Sequence, residues 1–424
     1  MVENNNPDES WLNNYSRRGQ SWIHDRFVKE GGLEAFFPDS IPMWIECGYK
    51  ISDLERAFEN ADSAREGIDE LVKVADHLLA EARKKEENGR EYAAVEYYHR
   101  ASLYYVRASW SILDDENEDK LDWHNRGLDA YKKVAELNSQ YEIEKIDIDL
   151  PFHSEQMAAY FHKCGQEDAP TVLFVPGMDM QKEEFPNTPN NRFINRGMNV
   201  LAIDGPGQGE TRLRGVCDDE PDKYQRAGSA AVDWLADQPE VDPSRIGVAG
   251  FSMGSYWGPR IAYEDERVSA VAVGMGCWYS KDILFNQAQP FFKKRYMYMA
   301  GMEDEDEFDE FAEDMTLYGI AENIDTPILI MHGEYDELQT REQAKLLYNN
   351  LAGPKQLQLY ENEFHPMGGA GPDLMNDFVD WFPQVWSGEI EDDHAVAKLM
   401  PDYPVDSYIP SPRFEFLSQD NRPY

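Results

Sequence analysis

The chain has 424 residues, of which 81 are Asp or Glu and 40 are Lys or Arg, for a formal net charge of −41. That balance opposes nucleic-acid binding through phosphate neutralisation and adsorption to an anionic membrane. Hydrophobic residues at 42% and aromatics at 12% exclude a disordered acidic tail and specify a folded protein with an acidic surface, of the kind suited to concentrated salt.

Residues 1–10 are polar and acidic and lack the basic and apolar regions of a secretory signal. Residues 1–140 read as helical. Ser52 with Glu55, and Ser63 with Glu66, have capping-box spacing. Ala64, Ile68, Leu71, Ala75, Leu78, Leu79 and Ala82 form one apolar helical stripe that stops at Asn88-Gly89. A second helix carries Ala94, Ala101 and Ala108 at a seven-residue spacing among tyrosines, and a third carries Leu121, Leu128, Tyr131 and Ala135.

From residue 141 the pattern changes to short β-rich runs alternating with helical segments. The runs are 142–150, 157–162, 171–175, 199–203, 245–249, 268–273, 327–331 and 355–360. Several are continuously apolar, as strands covered on both faces are. The prediction is an α/β protein with a mostly parallel sheet, helices on both faces, and the first two strands antiparallel at one edge. The longest uncharged apolar stretch, 268–280, is too short to span a bilayer. The acid-rich segment 303–314 carries Phe308, Phe311 and Met315 on one helical stripe, and reads as a solvated acidic helix rather than a metal site. Residues 141–386 are taken as the catalytic domain. Residues 387–424, rich in Pro and Asp, are taken as a surface tail. The four cysteines, Cys47, Cys164, Cys217 and Cys277, are scattered, which argues against a disulfide framework or zinc and for a cytoplasmic location.

The run 245–249 leads directly into Gly250-Phe251-Ser252-Met253-Gly254. A G-x-S-x-G between strand and helix sets a serine on a sharp turn above the sheet edge and aims the following N–H, here that of Met253, at a developing oxyanion. A nucleophilic serine needs a base and an orienting acid, which follow it in the order Ser, Asp, His. Asp336 follows the run 327–331, with Glu334 as the alternative acid. His365 follows the run 355–360 and is the histidine placed after both the serine and a late strand. The second oxyanion donor is assigned to the N–H of Met178, in the loop Val175-Pro176-Gly177-Met178-Asp179. Asp179 either touches substrate or braces that loop. Trp278, Tyr279 and Phe285 head an aromatic and methionine-rich stretch up to Met302 that could line an apolar pocket or simply pack the core. Asp204-Gly-Pro-Gly-Gln-Gly-Glu210 has no Walker lysine and no visible helix start, so it reads as a tight loop beside the serine turn rather than a phosphate loop.

These residues resemble the α/β-hydrolase superfamily. Pro176-Gly177-Met178-Asp179, Lys182-Glu183-Glu184, the stretch from Asp204 to Glu210 and the serine motif look like the FrsA-like/2,6-dihydroxypseudooxynicotine hydrolase group, over most of residues 60–386. Fungal pigment polyketide-shortening hydrolases belong to the same group. The resemblance implies an α/β-hydrolase fold, a cofactor-free serine hydrolase whose N-terminal helices (1–140) cap the active site, and often a homodimer. Some relatives are carboxylesterases and others cleave C–C bonds beside a carbonyl. Many relatives have Gly-Gly where this chain has Gly254-Ser255, and some use an extra glutamate, for which Asp282 is a candidate counterpart. The expectation is a salt-adapted hydrolase, from a halophile, acting on a small apolar or aromatic molecule. A non-catalytic binding protein on this fold and a prolyl-oligopeptidase-like peptidase are the alternatives; the second normally carries a β-propeller, and no propeller-like repeats are present.

Overall fold

The structure, a computed structural model, describes residues 21–36, 40–275 and 281–401. Its centre is a sheet of nine strands: β1 (Glu142–Ile148), β2 (Met157–Lys163), β3 (Ala169–Val175), β4 (Asn199–Ile203), β5 (Val241–Phe251), β6 (Val268–Gly274), β7 (Ile328–Gly333), β8 (Lys355–Tyr360) and β9 (Ala395–Met400). Their order is β1-β2-β4-β3-β5-β6-β7-β8-β9. β1 pairs antiparallel with β2, and β2 antiparallel with β4; all other neighbours are parallel. The eight expected runs are the first eight strands. The ninth lies in the segment read as a tail, where it extends the sheet beyond β8.

The chain steps from β3 to β4 on one side and then returns to place β5 on the other. This is the topological switch point of an open α/β sheet, where the loops after β3 and β5 diverge and leave a crevice.

The helices are α1 (Ser21–Phe36), α2 (Ile41–Glu46), α3 (Ile51–Phe58), α4 (Ala64–Glu87), α5 (Glu91–Trp110) and α6 (Glu118–Leu137) before the sheet. Within it come α7 (Gly209–Leu213), α8 (Lys223–Ala236), α9 (Gly254–Glu264), α10 (Pro290–Ala300), α11 (Glu305–Glu313), α12 (Arg341–Asn350) and α13 (Gly371–Trp386). The period of two along β3 divides the core. Val172 and Phe174 pack with α13 and the N-terminal helices, while Leu173 and Val175 pack with α8, α9 and α10.

α5 is buried nearly all round from Tyr98 to Trp110, as a helix sandwiched between α4, α6 and the α/β layers must be. It comes so close to α6 that a Cβ at Gly127 would lie 2.7 Å from Val106. Ser63 caps α4 by accepting from the Glu66 N–H. The Ser52–Glu55 box does not form: α3 starts at Ile51, two residues earlier than a Ser52 cap requires, so Ser52 lies in its first turn and Lys50 is the cap. The acidic segment folds as α11 with Asp304 accepting from the N–H groups of Asp306 and Glu307, and with Phe308 and Ala312 buried. Acids at a helix start oppose no charge there, because the dipole favours them. No described helix is long and apolar enough to cross a membrane.

Candidate active site

Ser252 follows β5 directly and has φ +51°, a left-handed conformation that a non-glycine residue holds only when its surroundings impose it. Its N–H donates to the Gly274 carbonyl at the end of β6, 2.9 Å away. A Cβ on Gly250 would lie 2.2 Å from the Gly254 carbonyl oxygen, and one on Gly254 would lie 2.3 Å from that of Val175. Both glycines of the motif are therefore required by space.

Three loops at the C-terminal ends of β5, β7 and β8 bring three side chains into one hydrogen-bonded row. Ser252 Oγ lies 3.1 Å from His365 Nε2, and His365 Nδ1 lies 3.2 Å from Asp336 Oδ2. Asp336 is fixed by its other oxygen, which accepts from the N–H groups of Leu338 and Gln339, each at 2.9 Å. Burial pushes the Asp336 carboxyl up, but His365 outweighs it and the group ends below its usual range. Burial pulls His365 down, but Asp336 more than offsets this and the imidazole ends above 6.5. Glu334 instead accepts from the N–H of Asn362 at 3.2 Å and faces Arg341.

Met178 and Met253 are both buried, at the ends of β3 and β5. Among the described residues neither N–H has a hydrogen-bond partner. A Cβ on Gly177 would sit 3.2 Å from Ser252 Cβ and 3.5 Å from Asp179 Oδ1, so the loop 177–179 lies against the serine.

That loop is held from two sides. From below, Gln208 Nε2 donates to the Gly177 carbonyl at 2.8 Å while its Oε1 accepts from Tyr224 at 2.7 Å. Here the stretch 204–210 departs from the sequence reading, because its end does start a helix, α7. From above, Arg107 of α5 donates to the Asp179 carbonyl at 2.8 Å and pairs with buried Glu184, which also accepts from Tyr49 at 2.6 Å. Asp179 thus braces the loop through its main chain, and its half-exposed carboxylate lies 3.4 Å from Arg107.

Next to these residues is a charge cluster whose Lys182, Glu183 and Asp204 are wholly buried. Lys182 Nζ lies 2.9 Å from Asp204, 2.8 Å from Glu183 and 3.1 Å from Glu210. Burial raises the Glu183 carboxyl above its usual range. Among the other expected residues, Phe285 is buried against Tyr296 and Phe308, with ring centroids 5.4 and 5.0 Å away. It belongs to an aromatic core. Trp278 and Tyr279 lie outside the described residues, and so does the side chain of Asp282.

Arg107 has no signal in the sequence as a site residue, because a long polar side chain within a helix looks like surface; Gln208 was marked only as part of the stretch 204–210. Lys182-Glu183-Glu184 stood out only through resemblance.

Comparison with known proteins gives the family. A family model described as esterase FrsA-like matches residues 68–367. The 2,6-dihydropseudooxynicotine hydrolase of Paenarthrobacter nicotinovorans is 26% identical over 277 residues, 64% of this chain and 71% of that one. The hydrolyase poxO of Penicillium oxalicum is 30% identical over 216 residues, 48% of this chain and 50% of its own. The esterase FrsA of Vibrio cholerae is 26% identical over 195 residues, 46% and 45% of the two chains. The match thus spans about half the length of the last two relatives. The crystal structure of the 2,6-dihydroxy-pseudo-oxynicotine hydrolase superposes with a TM-score of 0.73 at 22% identity, covering 86% of this chain and 99% of that one, a likeness of fold. Since the family match takes in well over half of the sequence, from α4 through the serine turn to the loop of His365, the chain belongs to the FrsA-like esterase family, on an α/β-hydrolase fold.

Proposed function

We propose that the protein is a serine hydrolase that cleaves an ester bond, or a C–C bond beside a carbonyl, in a small molecule. The observation that carries this is the row Ser252–His365–Asp336, with hydrogen bonds of 3.1 and 3.2 Å at the switch point of the sheet. His365 Nε2 takes the proton of Ser252 as Oγ attacks the carbonyl, and Asp336 holds the resulting imidazolium. The N–H groups of Met178 and Met253 receive the oxyanion. His365 then returns the proton to the leaving oxygen or carbon. Water, deprotonated by the same imidazole, releases the acyl group from Ser252.

A fluorophosphonate probe tests the reading directly: the adduct is expected on Ser252, and its absence would favour a binding protein on the same fold. A panel of p-nitrophenyl esters and 1,3-diketones then separates ester from C–C cleavage.

The base must be neutral to act, and Asp336 holds His365 above 6.5. The acid limb of kcat/KM is therefore expected to have its midpoint above pH 6.5, with activity lost below it and retained above. A midpoint at or below pH 6.5 in an initial-rate profile would contradict the Asp336 contact.

The net charge of −41 supports salt adaptation. Melting temperature is expected to rise from dilute to molar KCl as self-repulsion is screened. A flat or falling series would remove that reading.

A further inference from the structure

Arg295 lies on α10, 2% exposed. Its guanidinium rests over the rings of Trp110 and Phe291, 4.9 and 5.0 Å from their centroids. It makes one hydrogen bond, from Nη1 to the Trp110 carbonyl, and its Nε is buried without a partner. Among the described residues no carboxylate pairs with it. Taking a cation out of water costs several kcal/mol unless a counter-charge restores it. Other buried cations near the site have one: Arg107 has Glu184, and Lys182 has Asp204.

The position of Arg295 relates it to the nucleophile. Trp110, whose carbonyl it grips, lies one turn along α5 from Arg107. Arg107 in turn holds Asp179, which adjoins Gly177 and so Ser252. Burial lowers the Arg295 guanidinium to about 10, with Asp179 drawing it up and Arg107 pressing it down. It is still charged at neutral pH, and it shares one electrostatic neighbourhood with the serine loop.

We propose that Arg295 receives an anionic oxygen of the substrate, a carboxylate or enolate carried a few atoms from the carbonyl that Ser252 attacks. The guanidinium fork suits a carboxylate or a 1,3-dicarbonyl enolate, which present two coplanar oxygens. The buried Trp110 ring against the charge lowers the local dielectric and would strengthen the pairing. The inference rests on the serine-hydrolase reading and narrows its substrate to anionic carbonyl compounds.

The test compares the mono-p-nitrophenyl ester of glutaric acid with neutral p-nitrophenyl pentanoate, in molar KCl, using the full chain. The wild type is expected to favour the glutarate ester by roughly tenfold or more in kcat/KM, the scale of one charge-assisted pair. In Arg295→Met the ratio is expected to collapse toward one, with the change mainly in KM, and Arg295→Lys should restore part of it. Free glutarate and the enolate of cyclohexane-1,3-dione, tested as competitive inhibitors of the wild type, distinguish the two sources of the anion. Competition by either supports the inference without any variant, and competition by neither overturns it. A wild-type ratio near one, or an unchanged ratio in active Arg295→Met, also overturns it. Failure of Ser252 to take the fluorophosphonate label would instead defeat the hydrolase reading, so the two failures are distinguishable.

Discussion

Ser252→Ala is expected to lower kcat/KM for any accepted ester by roughly ten-thousand-fold or more, the loss seen when a serine nucleophile acting within a triad is removed. The fold should survive, because alanine meets the same strain at φ +51° that serine already bears, and the Gly274 hydrogen bond is made by the main chain. The variant should therefore give an unchanged circular dichroism spectrum and no fluorophosphonate adduct. His365→Ala should cost about as much, and the double variant little more, since the two act as a unit. Strictly additive losses, or a Ser252→Ala enzyme with ordinary turnover, would refute the assigned roles.

The largest stability effect is expected at Lys182. Lys182→Met keeps the side-chain volume but leaves Asp204 and Glu183 buried without their cation, whereas Glu210 still has Lys145 at 2.7 Å and Arg214 at 2.6 Å. Breaking a buried pair on one side typically costs about 3–5 kcal/mol. The pH dependence identifies the cause. With the cation gone, the Glu183 carboxyl, already raised by burial and held down in part by Lys182, moves further above its unfolded value, so folding takes up protons. The deficit is then greatest at high pH and shrinks as pH falls toward the ordinary carboxylate range. Urea unfolding of both proteins across that range measures it. A deficit independent of pH would mean that packing, rather than charge, holds the cluster.

Much of this molecule could be read from the sequence, and the exceptions have physical causes. β3 through β8 are covered on both faces, so their apolar runs are continuous and hard to misread. β9 is an edge strand with largely exposed side chains, including Lys398, and no periodicity betrays it. Ser252, Asp336 and His365 were legible because their chemistry demands an order and a place after a strand. Glu334 could be set aside only once its oxygen was seen on the Asn362 N–H. Lys182, Glu183 and Glu184 look like surface charge in one dimension, yet all three are fully buried, because their partners are brought in by β4, α7 and α5. The aromatic stretch around Phe285 was read as a pocket wall or core, and for Phe285 the contacts are those of core. Arg295 was invisible for the opposite reason: what distinguishes it is that no carboxylate pairs with it among the described residues.

The hydrogen bond from Arg107 to the Asp179 carbonyl crosses from the N-terminal helices to the main chain one residue beyond Met178. Its consequence concerns modularity. In a scaffold whose cap merely shades the crevice, the cap can be exchanged for another of similar outline. Here a graft would have to bring its own donor to the same point in space, with its own buried counter-ion in the role of Glu184. Shape alone would not transplant the function, and the helices and the sheet are constrained to diverge together.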